Sequence, residues 1–125
     1  MDYRCIPGTD IDVSPVCMGT MTFGNPVAKD QAIRLTHLAL DLGINFFDTA
    51  NSYEGYDRAQ GSAGGIAEKF LGQALQSRRD DAVIITKVGN LIGPDSDQDQ
   101  GLSRKHVMRE LDKSLKNLRT DYVDV

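Results

Sequence analysis

Apolar positions recur along the chain with two periods, near two residues in some stretches and near 3.6 in others, which predicts alternating strands and helices. Tyr3 to Ile6 and Ile11 to Ser14 flank Pro7-Gly8-Thr9-Asp10, and that turn chemistry predicts a β-hairpin. The run VCMGTMTFG predicts a short strand, with Thr20 following it. Helical spacing begins near Asp30, a candidate N-cap; Leu35, Leu38, Ala39 and Leu42 fall on one stripe and Gly43 is placed to end the helix. GINFF, ending on Asp48, predicts a second strand. A polar, glycine-rich stretch from 51 to 65 leads into a helix with Ala67, Phe70, Leu71 and Ala74 on its buried stripe. AVIITKVG is rich in β-branched residues and predicts a strand buried on both faces. Ser103 is placed to cap a third helix carrying Val107, Leu111, Leu115 and Leu118 on one side, and DYVDV predicts the start of a fourth strand.

Strands alternating with helices imply parallel strands joined by helical crossovers. Two α/β architectures fit that order, an open doubly wound sheet and a (β/α)8 barrel. The open sheet leads one to expect a glycine-rich nucleotide loop after the first strand, but GTMTFG does not match G-x-G-x-x-G. Instead, successive strands end on polar or ionisable residues: Thr20 after the first, Asp48 on the second and Lys87 on the third. In a barrel those ends converge on the face where this architecture carries its chemistry. The fold predicted is the N-terminal half of a (β/α)8 TIM barrel, with a β-hairpin at its start.

Composition narrows the functional classes. A chain of 125 residues with 40% hydrophobic content suffices for one ordinary domain. A formal charge of −4, with no basic stripe, argues against nucleic acid or an anionic membrane as partner. No run reaches the roughly 18 to 20 apolar residues of a membrane span, and MDYRCIPGTD lacks the pattern of a secretory signal, so a cytoplasmic protein is expected. Cys5 and Cys17 are expected to be buried free thiols.

A carboxylate at a strand tip needs a cationic partner or solvent. Lys87 on the neighbouring strand could supply the first, and Tyr53 follows Asp48 by five residues. A phenol with a pKa of about 10 is a weak acid at neutral pH, and an adjacent ammonium makes its proton easier to give up. The three residues could therefore form a general acid aimed at a carbonyl oxygen. They read equally well as a structural ion pair beside a loop aromatic, because Asp and Lys are common and adjacent strands bring many pairs together. Spacing does not decide between the two.

Other motifs are set aside. DSDQDQG imitates a calcium loop, but its sixth position is Gln100 instead of glycine and its twelfth is His106 instead of glutamate. GSAGG lies far past the strand end for a phosphate cradle and reads as a flexible segment near the site's mouth. No Cys/His cluster has metal-ligand spacing, and no metal is expected.

GTMTFG, GINFFDTANSYEG, EKFLGQAL, IITKVG and SLKNLRTDYVDV, in that order, resemble consecutive segments of the aldo-keto reductases. The likeness spans essentially the whole chain. The resemblance implies reduction of aldehydes or ketones to alcohols, with NADPH (NADP) as hydride donor and a small-molecule carbonyl compound as substrate. It implies catalytic roles for Tyr53 as proton donor, Lys87 as the group that lowers its pKa, and Asp48 as the group that holds the lysine near the nicotinamide. Thr20 and Met21 match positions that line the nicotinamide ribose. Residues 1–15 would form a hairpin closing the barrel's bottom, and residues 16–125 the first three βα units and the start of strand four. The family's tetrad also includes a histidine just beyond strand four; His37 and His106 do not correspond and are expected on helix surfaces. About half of a barrel of ~250 residues is covered. The chain thus reads as a truncated reductase, inactive by itself. The alternative is a non-catalytic binding or regulatory protein of the same fold, like potassium-channel β subunits.

Overall fold

A computed structural model describes residues 1–125. The first element is a small antiparallel hairpin of β1 (Arg4–Cys5) and β2 (Asp12–Val13), with Arg4 opposite Val13. Three strands follow, β3 (Cys17–Gly19), β4 (Phe46–Asp48) and β5 (Val83–Ile85), paired in parallel and in chain order. Helices α1 (Lys29–Asp41) and α2 (Ile66–Ala74) make the crossovers, and α3 (Arg104–Leu118) follows β5. Backbone N–H groups of Asp124 and Val125 reach the Ile84 carbonyl at 3.2 Å, so the last residues begin to pair along β5.

Register decides which way each strand faces. Met18, Phe47 and Ile84 lie side by side, as do Cys17, Phe46 and Val83 one residue earlier. Phe47 and Ile84 are fully buried against Ala39, Leu40, Leu71, Leu75 and Leu118 from all three helices. On the other face Cys17 is exposed while Phe46, Val83 and Ile85 are half-buried. All the helices therefore cover one face of the sheet. That is the arrangement of a barrel wall, and a doubly wound sheet would carry helices on both faces. It also corrects two expectations. β5 is fully buried on its helix-facing side only, because no element of this chain covers the other. Cys17 and Cys5 are exposed free thiols, not buried ones.

Helix α1 buries a different stripe from the one its leucines predict. Ala32, Thr36, Ala39 and Leu40 face inward, while Leu35, Leu38 and Leu42 are exposed at 41%, 53% and 63%. Both stripes have helical spacing. The small-residue one lets α1 lie close to its neighbours, and Thr36 satisfies its hydroxyl on the Ala32 carbonyl at 2.9 Å. The helix starts one residue before Asp30, which sits in the first turn instead of capping it, where its charge still complements the helix dipole. Gly43 does close it. The N–H groups of Gly43 and Ile44 bond the carbonyls of Leu40 and Ala39, a Schellman arrangement whose left-handed position (φ +85°) suits glycine. Ser103 caps α3 as expected, accepting the His106 N–H at 3.2 Å.

Neither histidine is a free surface residue. His37 reaches the Ala74 carbonyl at 2.8 Å and ties α1 to α2. His106 is 2% exposed, on a polar stripe with Glu110 and Ser114 that α3 turns inward beside Leu118. The hairpin packs at the opposite end of β4 from Asp48. Tyr3 donates to the Gly43 carbonyl at 2.8 Å, and the Asn45 amide accepts from the Ser14 N–H at 2.8 Å and donates to the Asp12 carbonyl at 2.9 Å.

Candidate active site

The C-terminal ends of the three strands bring Thr20, Asp48 and Lys87 together. Gly19, Asp48 and Ile85 are in register, so the chain just past β5 reaches alongside Asp48. The Lys87 ammonium donates to Asp48 Oδ1 at 2.5 Å and to the Thr49 carbonyl at 2.8 Å. It also stands 5.0 Å from the centre of the Tyr53 ring, within cation–π range. Lysine thus touches both other members of the predicted set. Thr20 is fully buried, and its N–H and hydroxyl both donate to the Asp48 carbonyl, at 2.9 and 3.0 Å. Its hydroxyl is consequently engaged in holding the strand tip. Met21, half exposed, lies beside it at the open end.

Tyr53 is fixed by its backbone. Its N–H bonds the Ala50 carbonyl at 3.1 Å, and its carbonyl accepts from Ala67 in the first turn of α2 at 2.9 Å. The loop after β3 supports the same segment, with the Tyr56 N–H on the Asn25 carbonyl at 2.9 Å and the Asn25 side chain on Asp57. Gly64 and Gly65, the last two residues of GSAGG, are buried. A Cβ on Gly64, at φ +62°, would collide with the Asn51 carbonyl oxygen, so glycine is required for this close approach.

Two fully buried glutamates stand behind the site, and neither is marked by hydrophobic periodicity. Glu68 on α2 accepts from Thr86 at 2.7 Å and from Asn117 at 3.0 Å. Glu110 on α3 accepts from Arg109 at 2.9 Å, Lys113 at 2.8 Å and the Asn51 side chain at 3.3 Å. The Asn51 N–H in turn bonds the Lys87 carbonyl at 3.0 Å. Asn51, inside DTANSY between Asp48 and Tyr53, and Glu68, the first residue of EKFLGQAL, both stand in segments that the sequence marks, whereas Glu110 does not.

Burial pushes the Glu110 carboxyl upward, but the bonds from Lys113 and Arg109 outweigh it and hold the group below its ordinary value of 4.5. A depressed folded-state pKa stabilises the fold above the unfolded value, and that contribution is lost as pH falls through the folded one. Acidification below about 4.5 is expected to lower the thermal midpoint, and less so in Glu110→Gln. Parallel pH curves for the two proteins would show that this carboxylate is not linked to folding.

Two carboxylates of the acidic loop are engaged within it or with α3. Asp95 accepts from the Asp97 N–H at 2.9 Å, while Asp99 takes the Asp95 N–H at 3.0 Å and Arg109 at 2.9 Å. No group of three or more His, Cys, Asp or Glu residues is placed to hold a metal, and no helix is long and apolar enough to cross a membrane.

The family model described as "Aldo/keto reductase family" matches residues 15–125. An uncharacterized oxidoreductase, YrpG, of Bacillus subtilis (strain 168) is 39% identical over 128 residues, covering 100% of this chain and 39% of that protein. A probable voltage-gated potassium channel subunit beta of Oryza sativa subsp. japonica is 39% identical over 129 residues, covering 100% of this chain and 36% of that one. Among solved structures, an aldo-keto reductase from Bacillus halodurans in its holo form superposes with a TM-score of 0.78 at 32% identity. That match covers 98% of this chain and 38% of that one. A putative aldo-keto reductase from Pseudomonas aeruginosa gives 0.77 at 35% identity, over 97% and 44%. The chain spans less than half the length of these relatives, and its parallel sheet, helices and hairpin correspond to part of their TIM barrel. The chain belongs to the aldo/keto reductase family.

Proposed function

We propose that residues 1–125 are part of one reductase domain in which an aldehyde or ketone takes a hydride from NADPH and a proton from Tyr53. The observation that carries this reading is the position of Lys87, which bonds Asp48 and faces the Tyr53 ring at once. Stability gives little reason for that arrangement. The two side chains remain 44% and 35% exposed, and ion pairs this open contribute about 0–1 kcal/mol. Proton transfer gives a better one. As the phenol loses its proton, negative charge gathers on its oxygen, and an ammonium already held in place stabilises that charge without rearranging. Asp48 and the Thr49 carbonyl keep the ammonium there, and Thr20 keeps Asp48 there.

The nicotinamide end of the cofactor fits the residues present. Lys87 engages Asp48 Oδ1, which leaves the second carboxylate oxygen open to a polar group, and Met21 offers an exposed apolar side chain beside it. Thr20, Met21 and Asp48 would hold that end, and the bound group would supply the hydride. The remainder of a barrel would carry the rest of the grip, with the hairpin closing the end opposite Asp48.

The test is oxidation of NADPH with a panel of aldehydes and ketones by a full-length form, beside Lys87→Met. Loss of the ammonium is expected to lower kcat at least about a hundredfold while NADPH affinity changes only a few-fold. Wild-type turnover in Lys87→Met would remove the lysine from the mechanism. The potassium-channel β subunits among the relatives support a second reading, a cofactor-dependent binding partner. NADPH binding without turnover on any carbonyl compound would favour it.

A further inference from the structure

We infer that Glu110, on the outer helix α3, is a positioning residue for the Tyr53–Lys87 pair and acts through Asn51; the inference rests on the proton-transfer reading above. Glu110 touches none of Asp48, Tyr53 and Lys87. Its carboxylate divides its two oxygens. Oε1 takes both cations, Arg109 at 2.9 Å and Lys113 at 2.8 Å, while Oε2 takes the Asn51 amide at 3.3 Å. The side chain is 0% exposed, so the two cations compensate its burial and its position is tightly determined. Arg109 is itself held by Asp99 at 2.9 Å and the Gln98 carbonyl at 3.1 Å.

Asn51 passes that fixed point on to the reactive end. It is buried, its side chain bonds Glu110, and its backbone N–H bonds the Lys87 carbonyl at 3.0 Å. It also lies on the short path from Asp48 to Tyr53, and its carbonyl is packed against Gly64. One residue therefore sets the spacing between the loop that carries the phenol and the backbone that carries the ammonium. A residue on α3 fixes that one residue. Hydrogen-bond inventory explains why the group must be a carboxylate. A glutamine offers a single acceptor oxygen, which can serve the cations or Asn51 but not both, and its NH2 would face a donor on the other side. Distance matters at this level because a shift of about 1 Å in a proton donor can cost on the order of a hundredfold in rate.

The experiment compares wild type, Glu110→Gln, Asn51→Ala and the double variant, in a full-length form, by kcat, KM and amide exchange. Each single variant is expected to lower kcat about tenfold or more with KM within about twofold, because geometry and not substrate binding is disturbed. The double variant is expected to be no worse than the poorer single one, since both cut the same bridge. Unchanged kcat in Glu110→Gln, or losses that multiply in the double variant, would overturn the inference. Amide exchange judges the bridge without turnover. In either single variant the acceleration at the Asn51 and Tyr53 N–H is expected to exceed, by at least about tenfold, that of Phe47 on the central strand, whose amide reports the global loss of stability. Equal acceleration of Phe47 would mean that Glu110 serves global stability alone, and no acceleration at Asn51 would mean that there is no bridge. Should the wild type reduce no carbonyl compound, the proton-transfer reading fails by itself, and the exchange rates still decide whether Glu110 sets the position of Asn51.

Discussion

Tyr53→Phe in a full-length form is expected to lose carbonyl reduction by about two to four orders of magnitude while NADPH binding stays within a few-fold. The substitution deletes one oxygen and keeps the ring. Packing against the half-buried surroundings and the cation–π contact from Lys87, 5.0 Å away, should persist. The backbone bonds that fix residue 53, to Ala50 and Ala67, do not involve the side chain and are retained. On the proposed mechanism, what disappears is the proton that the developing alkoxide needs, an interaction made in the transition state and absent in the ground state, so kcat should fall while binding does not. Steady-state NADPH oxidation and cofactor fluorescence on the same preparation separate the two effects. Near-normal kcat would show that another group gives the proton, and the role of Lys87 would need a different explanation.

The largest expected effect on stability belongs to Phe47→Ala, at about 3–5 kcal/mol. Phe47 is fully buried where residues of α1, α2, α3 and β5 meet, and the hole left by its ring is lined from several sides at once. Domains of this kind are stable by about 5–15 kcal/mol, so the variant is expected to be marginal. Phe46→Ala is the control. That side chain is one residue earlier on the opposite face, half-buried, and its loss should cost less than half as much in this chain. Denaturant midpoints for the two variants measure the difference. Equal midpoints would contradict the one-sided packing of the sheet.

Element order and the polar residues at the strand tips were legible because both depend on local pattern. The β-branched run at Val83–Ile85, the turn residues of the hairpin, the Ser103 cap and Gly43 each act within a few residues of themselves. Asp48 and Lys87 could be picked out because they interrupt apolar runs at strand ends, and Tyr53 because it is an aromatic in the polar turn that follows Asp48. The inward faces of the helices were harder to read. In α1 the leucines outweigh the alanines in any hydrophobic count, yet tight packing selects the small residues Ala32, Thr36 and Ala39. In α3 the polar stripe His106, Glu110, Ser114 would ordinarily be assigned to solvent. It turns inward with its carboxylate satisfied by Arg109 and Lys113 of the same helix and by Asn51 from the loop after β4. The cover on the second face of β5 was over-read because β-branched composition reports strand formation, whereas which faces are covered is a property of the assembled layers.

The hairpin has a practical use. Tyr3 and Ser14 moor it to Gly43 and Asn45, at the foot of β4, whereas Asp48 stands at the strand's other end. Met1 is exposed and lies on that same distant side, near Gly43. A biotin, fluorophore or resin linker attached there would hold the molecule by its base with the Tyr53 end directed into solution. Immobilised protein should then bind ligands at that end as freely as protein in solution, and surface-based binding assays could be built on the hairpin side without redesigning the fold.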